Sequence, residues 1–412
     1  MKNKVDKCRS CNTDLETVID FGKMPIANAF LKKKDFTNEY FFNLESVFCN
    51  NCKLFQLREQ PSPNKLFHHN YAFFAETSKV MQKHFLDLSN ELVKKFKLSK
   101  KDLVIEIGNN DGGMVNYLTK KKYNCIGVDP SKNVSDRARS KGVEMVNEFF
   151  NFNTSVKIKK KYGKAKYFLS ANTLAHIPNI NSVFEGIINL LDEDGVFITE
   201  DPYLLDVFKK TSYDQIYDEH VFIFSINSIM NLCKKYNLEL IDLKKLPTAG
   251  GSMRYYIAKK GKYKADSNVK KFYNIEQNYK INSRQTLKNF KKNCEYSKNQ
   301  INEFLNKYSK NKQIVGYGST SKSTTIFNYC KINTNQISYL TDTTPTKINK
   351  YSPGAHIPIY DYNYFKNNMP DICILLAWNH AKEIFSKEKN YFTKFGKWMV
   401  HYPAARFIKP TY

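Results

Sequence analysis

Glycine is scarce, with 16 residues in 412, well below the usual ~7%. A chain that avoids glycine keeps it where backbone must turn tightly or approach a ligand. Seven of the sixteen fall in three clusters: Gly108, Gly112 and Gly113; Gly250 and Gly251; Gly316 and Gly318. Long apolar runs are absent, and none approaches the roughly 18 residues of a membrane-crossing helix. The first residues also lack the apolar core of a secretory signal. These absences predict a cytoplasmic protein with no membrane partner. Acidic residues are few, 39 against 65 Lys+Arg, for a formal charge of +26. Such an excess invites a nucleic-acid partner. It is spread over short lysine runs (Lys32-Lys33-Lys34, Lys120-Lys121-Lys122, Lys159-Lys160-Lys161) in a chain also rich in Asn, Tyr and Ile. Scattered runs fit a biased composition better than a binding groove, and nucleic acid is not expected. A zinc-dependent nucleic-acid adaptor remains the contrasting reading. Charged residues at 25% exclude wholesale disorder, and the length suits two or three domains.

Disulfides are not expected either. Four of nine cysteines form two pairs, Cys8-x2-Cys11 and Cys49-x2-Cys52, while Cys125, Cys233, Cys294, Cys330 and Cys373 are scattered. Two such knuckles bring four thiolates to the corners of a tetrahedron, the geometry zinc prefers. The 37 residues from Asn12 to Phe48 exceed the spacing of compact zinc ribbons; unmetallated or redox cysteines are the alternative. A closed four-thiolate site stabilises a lobe over residues 1–70 and stays remote from catalysis.

Beyond this lobe, apolar residues from Val80 to Phe96 recur with a helical period, predicting a helix over Val80 to Leu98. From Asp102 the pattern becomes strands alternating with helices. Leu103 to Gly108, Cys125 to Asp129, Tyr167 to Ser170 and Gly195 to Glu200 read as strands. That alternation predicts an α/β fold with a doubly wound parallel sheet. Residues 264–312 read as one or two basic helices, with Phe272, Tyr279, Leu287, Phe290, Ile301 and Phe304 inward. Gln313 to Gly318, Ile337 to Asp342 and Asp371 to Leu376 then predict a second, smaller α/β lobe.

Glu106-Ile107-Gly108-Asn109-Asn110-Asp111-Gly112 leaves a strand and enters a helix. Asp129 ends the next strand, 23 residues after Glu106. The spacing is not G-x-G-x-x-G, so a dinucleotide pyrophosphate is not the natural ligand. An acid placed for both ribose hydroxyls fits S-adenosylmethionine better; an ordinary βα turn is the bland alternative. Tyr217-Asp218-Glu219-His220 follows a later strand exit, Glu200-Asp201-Pro202-Tyr203. A histidine there can remove a proton beside a carbonyl, with Glu or Tyr orienting it. A Glu-His pair alone is more often surface chemistry. Gly250-Gly251-Ser252-Met253-Arg254, between polar strands, offers a guanidinium for a phosphate, or a plain turn and a solvated arginine. Gly316-Tyr317-Gly318-Ser319-Thr320-Ser321-Lys322 lacks P-loop spacing, and an NAD loop competes with it.

Taken in order, these pieces resemble the sugar C-methyltransferase family, which methylates carbon 3 of nucleotide-linked 4-keto-6-deoxy sugars. The resemblance spans nearly the whole chain. It includes both cysteine pairs, Met24-Pro25-Ile26-Ala27-Asn28-Ala29-Phe30, Gly127-Val128-Asp129-Pro130-Ser131 and Ala171-Asn172-Thr173-Leu174-Ala175-His176-Ile177-Pro178. It continues through Glu200-Asp201-Pro202-Tyr203, Tyr213 to His220, Gly316-Tyr317-Gly318, Ser352 to Pro358 and Trp378-Asn379. It implies structural zinc, a methyltransferase domain over 71–262 and a helical connector with a C-terminal substrate lobe over 263–412. The family's catalytic Tyr, Glu and His fall on Tyr217, Glu219 and His220, and a further histidine on His176. The methyl donor is expected against Glu106, Gly108, Asn110, Asp111, Gly112 and Asp129. Asn172 would close its pocket, with Phe149 or Phe150 near the adenine. Tyr71, Arg254, Lys322, Trp378 and Asn379 are the expected substrate contacts, Arg254 and Lys322 taking the diphosphate. A monomer is expected, in the biosynthesis of surface-polysaccharide or glycoconjugate sugars; a sugar O-methyltransferase is the nearer alternative. Three departures stand where substrate would be held. The family usually has histidine at Ala249, Tyr-x-Tyr at Tyr71-Ala72-Phe73, and Ala-Pro-Ala-Lys-Gly-Asn-Thr over Ser319 to Thr325.

Overall fold

The computed structural model describes residues 3–67, 71, 74–394 and 396–409. Its central sheet has seven strands in the order Leu238–Leu246, Ser252–Lys259, Leu191–Pro202, Ala165–Ala171, Leu103–Ile107, Asn124–Val128 and Glu144–Val146. Only Ser252–Lys259 runs against its neighbours. Leu103–Ile107 is buried at every position, as a parallel strand covered on both faces must be. The apolar period after Val80 forms the helix Lys79–Lys94, which buries Phe85, Leu88 and Leu92. Ser252–Lys259, expected to be polar, is an interior strand buried as far as Ala258.

The zinc lobe is built on a four-stranded antiparallel sheet of Glu16–Pro25, Phe41–Phe48, Phe55–Leu57 and Phe222–Ile223. The hairpin of the first two strands fills the long gap between the cysteine pairs. The last strand comes from far along the chain, beginning two residues after His220. Phe222 lies opposite Gln56 and Ile223 opposite Phe55. In each knuckle the residue after the second cysteine turns left-handed, Asn12 at φ 58° and Lys53 at φ 62°. Their amides return to the carbonyls of Cys8 and Cys49. The four sulfurs lie within 4.8 Å of one another, and all nine cysteines are free of disulfides.

The basic stretch forms two helices, Ser267–Tyr279 and Arg284–Tyr308, capped by Asp266 and Ser283. Leu287, Phe290, Cys294, Ser297, Ile301 and Leu305 make the buried seam of the second, the stripe of an amphipathic helix. Glu276, fully buried, accepts the amides of Ile226 and Asn227 at the start of the helix Ile226–Lys235. The C-terminal lobe has a six-stranded sheet in the order Ile359–Tyr360, Tyr339–Thr341, Ile314–Tyr317, Ile372–Leu375, Lys397–Val400 and Arg406–Ile408. Its first five strands are parallel and the last reverses. Among the described residues no helix is long and apolar enough to cross a membrane.

Elemental analysis is expected to return one zinc per chain. Because a structural site's binding energy is folding energy, stripping the metal with a chelator should lower the unfolding temperature. Absence of zinc, or loss of zinc without destabilisation, would contradict this.

Candidate active site

The donor loop leaves the strand Leu103–Ile107 at its carboxyl end, where ligands of open α/β sheets bind. Gly108 sits at φ +63°, and a Cβ there would lie 2.1 Å from the Thr173 hydroxyl oxygen, so only glycine fits beneath the Asn172-Thr173 turn. Asp129 is buried, and each of its oxygens accepts one amide: Oδ2 from Asn110 at 3.1 Å, Oδ1 from Ser131 at 2.9 Å. Each oxygen keeps a second lone pair, the pattern that receives two ribose hydroxyls. Burial raises its pKa to about 6, against the two amides. Asn172, at φ 51°, donates its amide to the Glu200 carbonyl at 2.6 Å and forms the opposite rim. This cradle fits an adenosine-bearing methyl donor.

Several expected donor contacts serve the cradle from beneath. Glu106 accepts the Val115 amide at 2.9 Å, capping the helix Gly113–Lys120. It faces the helix start, and burial pushes its carboxyl up to about 8. Asp111 accepts the Glu76 amide at 3.1 Å and pairs with Arg137 and Lys141. Phe150 packs against Phe168, ring centroids 5.2 Å apart, and lies over Gly186. It is a core residue, whereas Phe149 stays exposed at the surface.

The loop Tyr213 to His220 brings the expected acid–base residues together. His220 Nδ1 lies 2.7 Å from the Gln215 carbonyl, so it carries the proton and Nε2 keeps a lone pair. The Tyr217 hydroxyl donates to that Nε2 at 3.0 Å. Burial lowers the His220 pKa far below its ordinary value, helped by His176 and Lys322, so the ring is neutral. The His176 ring centroid is 5.2 Å away. Burial alone brings His176 down to about 4, and its Nε2 has no partner among the described residues. Asp201 holds the turn Leu174–His176 by accepting the Ala175 amide at 3.1 Å. Glu219 accepts from Asn28 Nδ2 at 2.7 Å and from the Tyr71 hydroxyl at 3.2 Å. Burial raises the pKa of Glu219 and lifts that of Asp218 well above the carboxylate range.

The pair of diphosphate cations is not assembled. Arg254 is inside the sheet, donating to Glu200 through Nε and to Glu91 at 2.9 Å through Nη1, with its side chain 3% exposed. Buried Glu200 and half-buried Glu91 claim it, and His84 completes the network 2.5 Å from Glu200. Lys322 donates to the Ala249 carbonyl at 3.0 Å and lies 4.8 Å from the Trp378 ring centre. Burial lowers its pKa to about 8. Trp378 is likewise engaged. Its Nε1 donates to Asp214 at 2.7 Å, and a Cβ on Gly250 would strike its ring. Asn379 is half-buried in the same turn. Ala72 and Phe73 lie outside the described residues.

Three contributors were not legible as site residues. Asn28, Gln60 and Ser321 come from other lobes, and only folding brings them to the loop. Gln60 donates to the Asp218 carbonyl at 3.0 Å. The Ser321 hydroxyl donates to Asn28 Oδ1 at 2.9 Å. Asn28 alone had a signal, its place after Met24-Pro25-Ile26-Ala27.

The sequence matches a family model described as a methyltransferase domain over residues 76–243. It also matches a C-methyltransferase C-terminal domain over 247–403 and a zinc binding domain over 8–67. It is 31% identical over 411 residues to the C-methyltransferase NovU of Streptomyces niveus, covering 98% of this chain and 97% of that protein. Among solved structures, an S-adenosylmethionine-dependent methyltransferase of Anabaena variabilis aligns at 14% identity. It covers 43% of this chain and 85% of that one, with a TM-score of 0.35. Magnesium protoporphyrin IX methyltransferase of Synechocystis aligns at 12% identity over 43% of this chain and 79% of that one, with a TM-score of 0.33.

Asp129→Ala is expected to weaken methyl-donor affinity roughly 10- to 150-fold, the worth of hydrogen bonds to a charged acceptor. Because burial raises this carboxyl, wild-type affinity should fall as pH drops through about 6, and the variant should lose that dependence. Calorimetric titration of donor binding across pH measures both; unchanged affinity would remove the assignment.

Proposed function

The chain belongs to the zinc-containing C-methyltransferase family, S-adenosylmethionine-dependent enzymes, and from that premise we propose that it methylates carbon 3 of a nucleotide-linked 4-keto-6-deoxy sugar. The observation that carries this reading is the tautomer of His220. Its Nδ1–H is tied to the Gln215 carbonyl, leaving on neutral Nε2 a lone pair that meets only the movable Tyr217 hydroxyl among the described residues. Such an imidazole is in the accepting form throughout the neutral range.

In the proposed reaction, His220 Nε2 takes the proton from carbon 3. The C–H bonding pair moves into the carbon–carbon bond as the ketone pair shifts to oxygen, giving an enolate. The Tyr217 hydroxyl and His176 stand beside His220 to meet the charge on that oxygen, as donors aimed at a developing oxyanion do. With the pKa values of Asp218 and Glu219 raised by burial, the cluster puts less negative charge beside it. When bound, S-adenosylmethionine supplies an electrophilic methyl group to carbon 3. Asp129, with Gly108, Asn110, Gly112 and the Asn172 rim, would hold the donor; Tyr71, Lys322, Trp378 and Asn379 would border the sugar nucleotide. The domain division proposed is 1–70, 71–262 and 263–412, though the strand Phe222–Ile223 belongs by pairing to the first unit. A monomer acting in the cytoplasm, on sugars bound for surface polysaccharide or glycoconjugates, completes the proposal.

A panel of nucleotide 4-keto-6-deoxy sugars in deuterated solvent tests it. Mass spectrometry should find one methyl added on carbon, and exchange of the carbon 3 hydrogen without donor. His220→Ala is expected to lower both by roughly 10²–10⁴-fold. A folded, donor-binding variant that exchanges and methylates at the wild-type rate would show that His220 is not the base.

A further inference from the structure

We propose that Ser321, carried by the C-terminal lobe, is a positioning residue for the deprotonating site. Its hydroxyl fixes the Asn28 amide, and through it Glu219. This rests on the reading of His220 as the base.

The Asn28 side chain could be turned either way by shape alone, so its neighbours decide. Glu219 Oε1, 2.7 Å from Nδ2, needs a donor; an amide oxygen turned toward it would set two acceptors face to face. Ser321 Oγ, 2.9 Å from Oδ1, donates to the other end and locks that orientation. Ser321 stands at the first position of the helix Ser321–Cys330, so the lobe that carries this helix orients the amide that holds Glu219.

The chain of contacts joins all three lobes: Ser321 from the last, Asn28 from the first, and Glu219 from the middle. The Glu219 carboxyl, one residue from His220, is oriented by this chain only when the three are together.

The test uses full-length, zinc-loaded protein with the panel sugar that wild type turns over best. Ser321→Ala should lower kcat roughly 3- to 10-fold and Asn28→Ala roughly 10- to 100-fold. Both should leave KM and donor affinity near wild type, and carbon 3 exchange should fall in step with kcat. Ser321→Thr, which keeps the hydroxyl, should recover most of the loss. Wild-type kcat in Ser321→Ala, or no recovery in Ser321→Thr, overturns the proposal while leaving His220 as base. An active His220→Ala overturns the underlying reading instead. A readout without substrate is a double-mutant cycle of Asn28→Ala and Ser321→Ala on thermal unfolding. The two effects should be non-additive; additive effects refute the contact.

Discussion

The site depends on a pairing of very short strands. Phe222–Ile223 closes one edge of the zinc lobe's sheet against Phe55 and Gln56, and the Leu57 amide adds a bond to the Val221 carbonyl at 2.8 Å. His220 is the residue immediately before. Its backbone is therefore set by a sheet that belongs to another part of the sequence. The partner strand begins three residues after Cys52, in a turn closed by Cys49 and Leu54 at 3.0 Å. A metal among these sulfurs need do no chemistry to matter. By holding the knuckle it holds the strand, and by holding the strand it holds His220. The lobe is remote from the reaction in its thiolates but not in its consequences, since Asn28 and Gln60 also reach the loop.

Charge is buried here in two different ways. Beneath the donor pocket, Glu200, Glu91, Arg254 and His84 form a network in which each carboxylate faces a cation or a proton donor. Unpaired, such groups would cost several kcal/mol each; paired, they fix the strand whose Glu200 carbonyl receives Asn172. Beside His220, Asp218 and Glu219 make no salt bridge among the described residues, and burial raises their pKa values instead. The first arrangement makes a rigid platform. The second lowers negative charge where an enolate would form.

The alternating strands, the cysteine knuckles and the donor loop were legible because each is local: a period, a spacing or a turn chemistry carries it. Asp129 was legible for the same reason, as the acid ending the strand after the glycine loop. Arg254 was read as a phosphate contact because a guanidinium beside two glycines looks the same whether it faces solvent or two carboxylates of its own fold. Only the sheet order, with Ser252–Lys259 inside and opposite Leu191–Pro202, decides it. Phe149 and Phe150 could not be told apart likewise, since adjacent phenylalanines do not announce which faces the core. Ser321 and Gln60 lie far from the motif they serve, and no pattern within one chain segment joins them to it.

The departures over Ser319 to Thr325 acquire a physical meaning from the same tertiary view. Thr324 donates to the Ala27 carbonyl at 3.1 Å and Thr325 to the Ile216 carbonyl at 2.9 Å. Ser321 reaches Asn28 at 2.9 Å. Hydroxyls in this stretch thus fasten the C-terminal lobe to the residue before Asn28 and to the residue before Tyr217. The amide of Ser319 meanwhile stays within its own lobe, on Asp342 at 2.8 Å. A loop that looks from sequence like an imperfect phosphate cradle is therefore occupied in joining the lobes. The one cation it carries, Lys322, is drawn inward to the Ala249 carbonyl and the Trp378 face. Charge attraction to a phosphate must then compete with contacts already made.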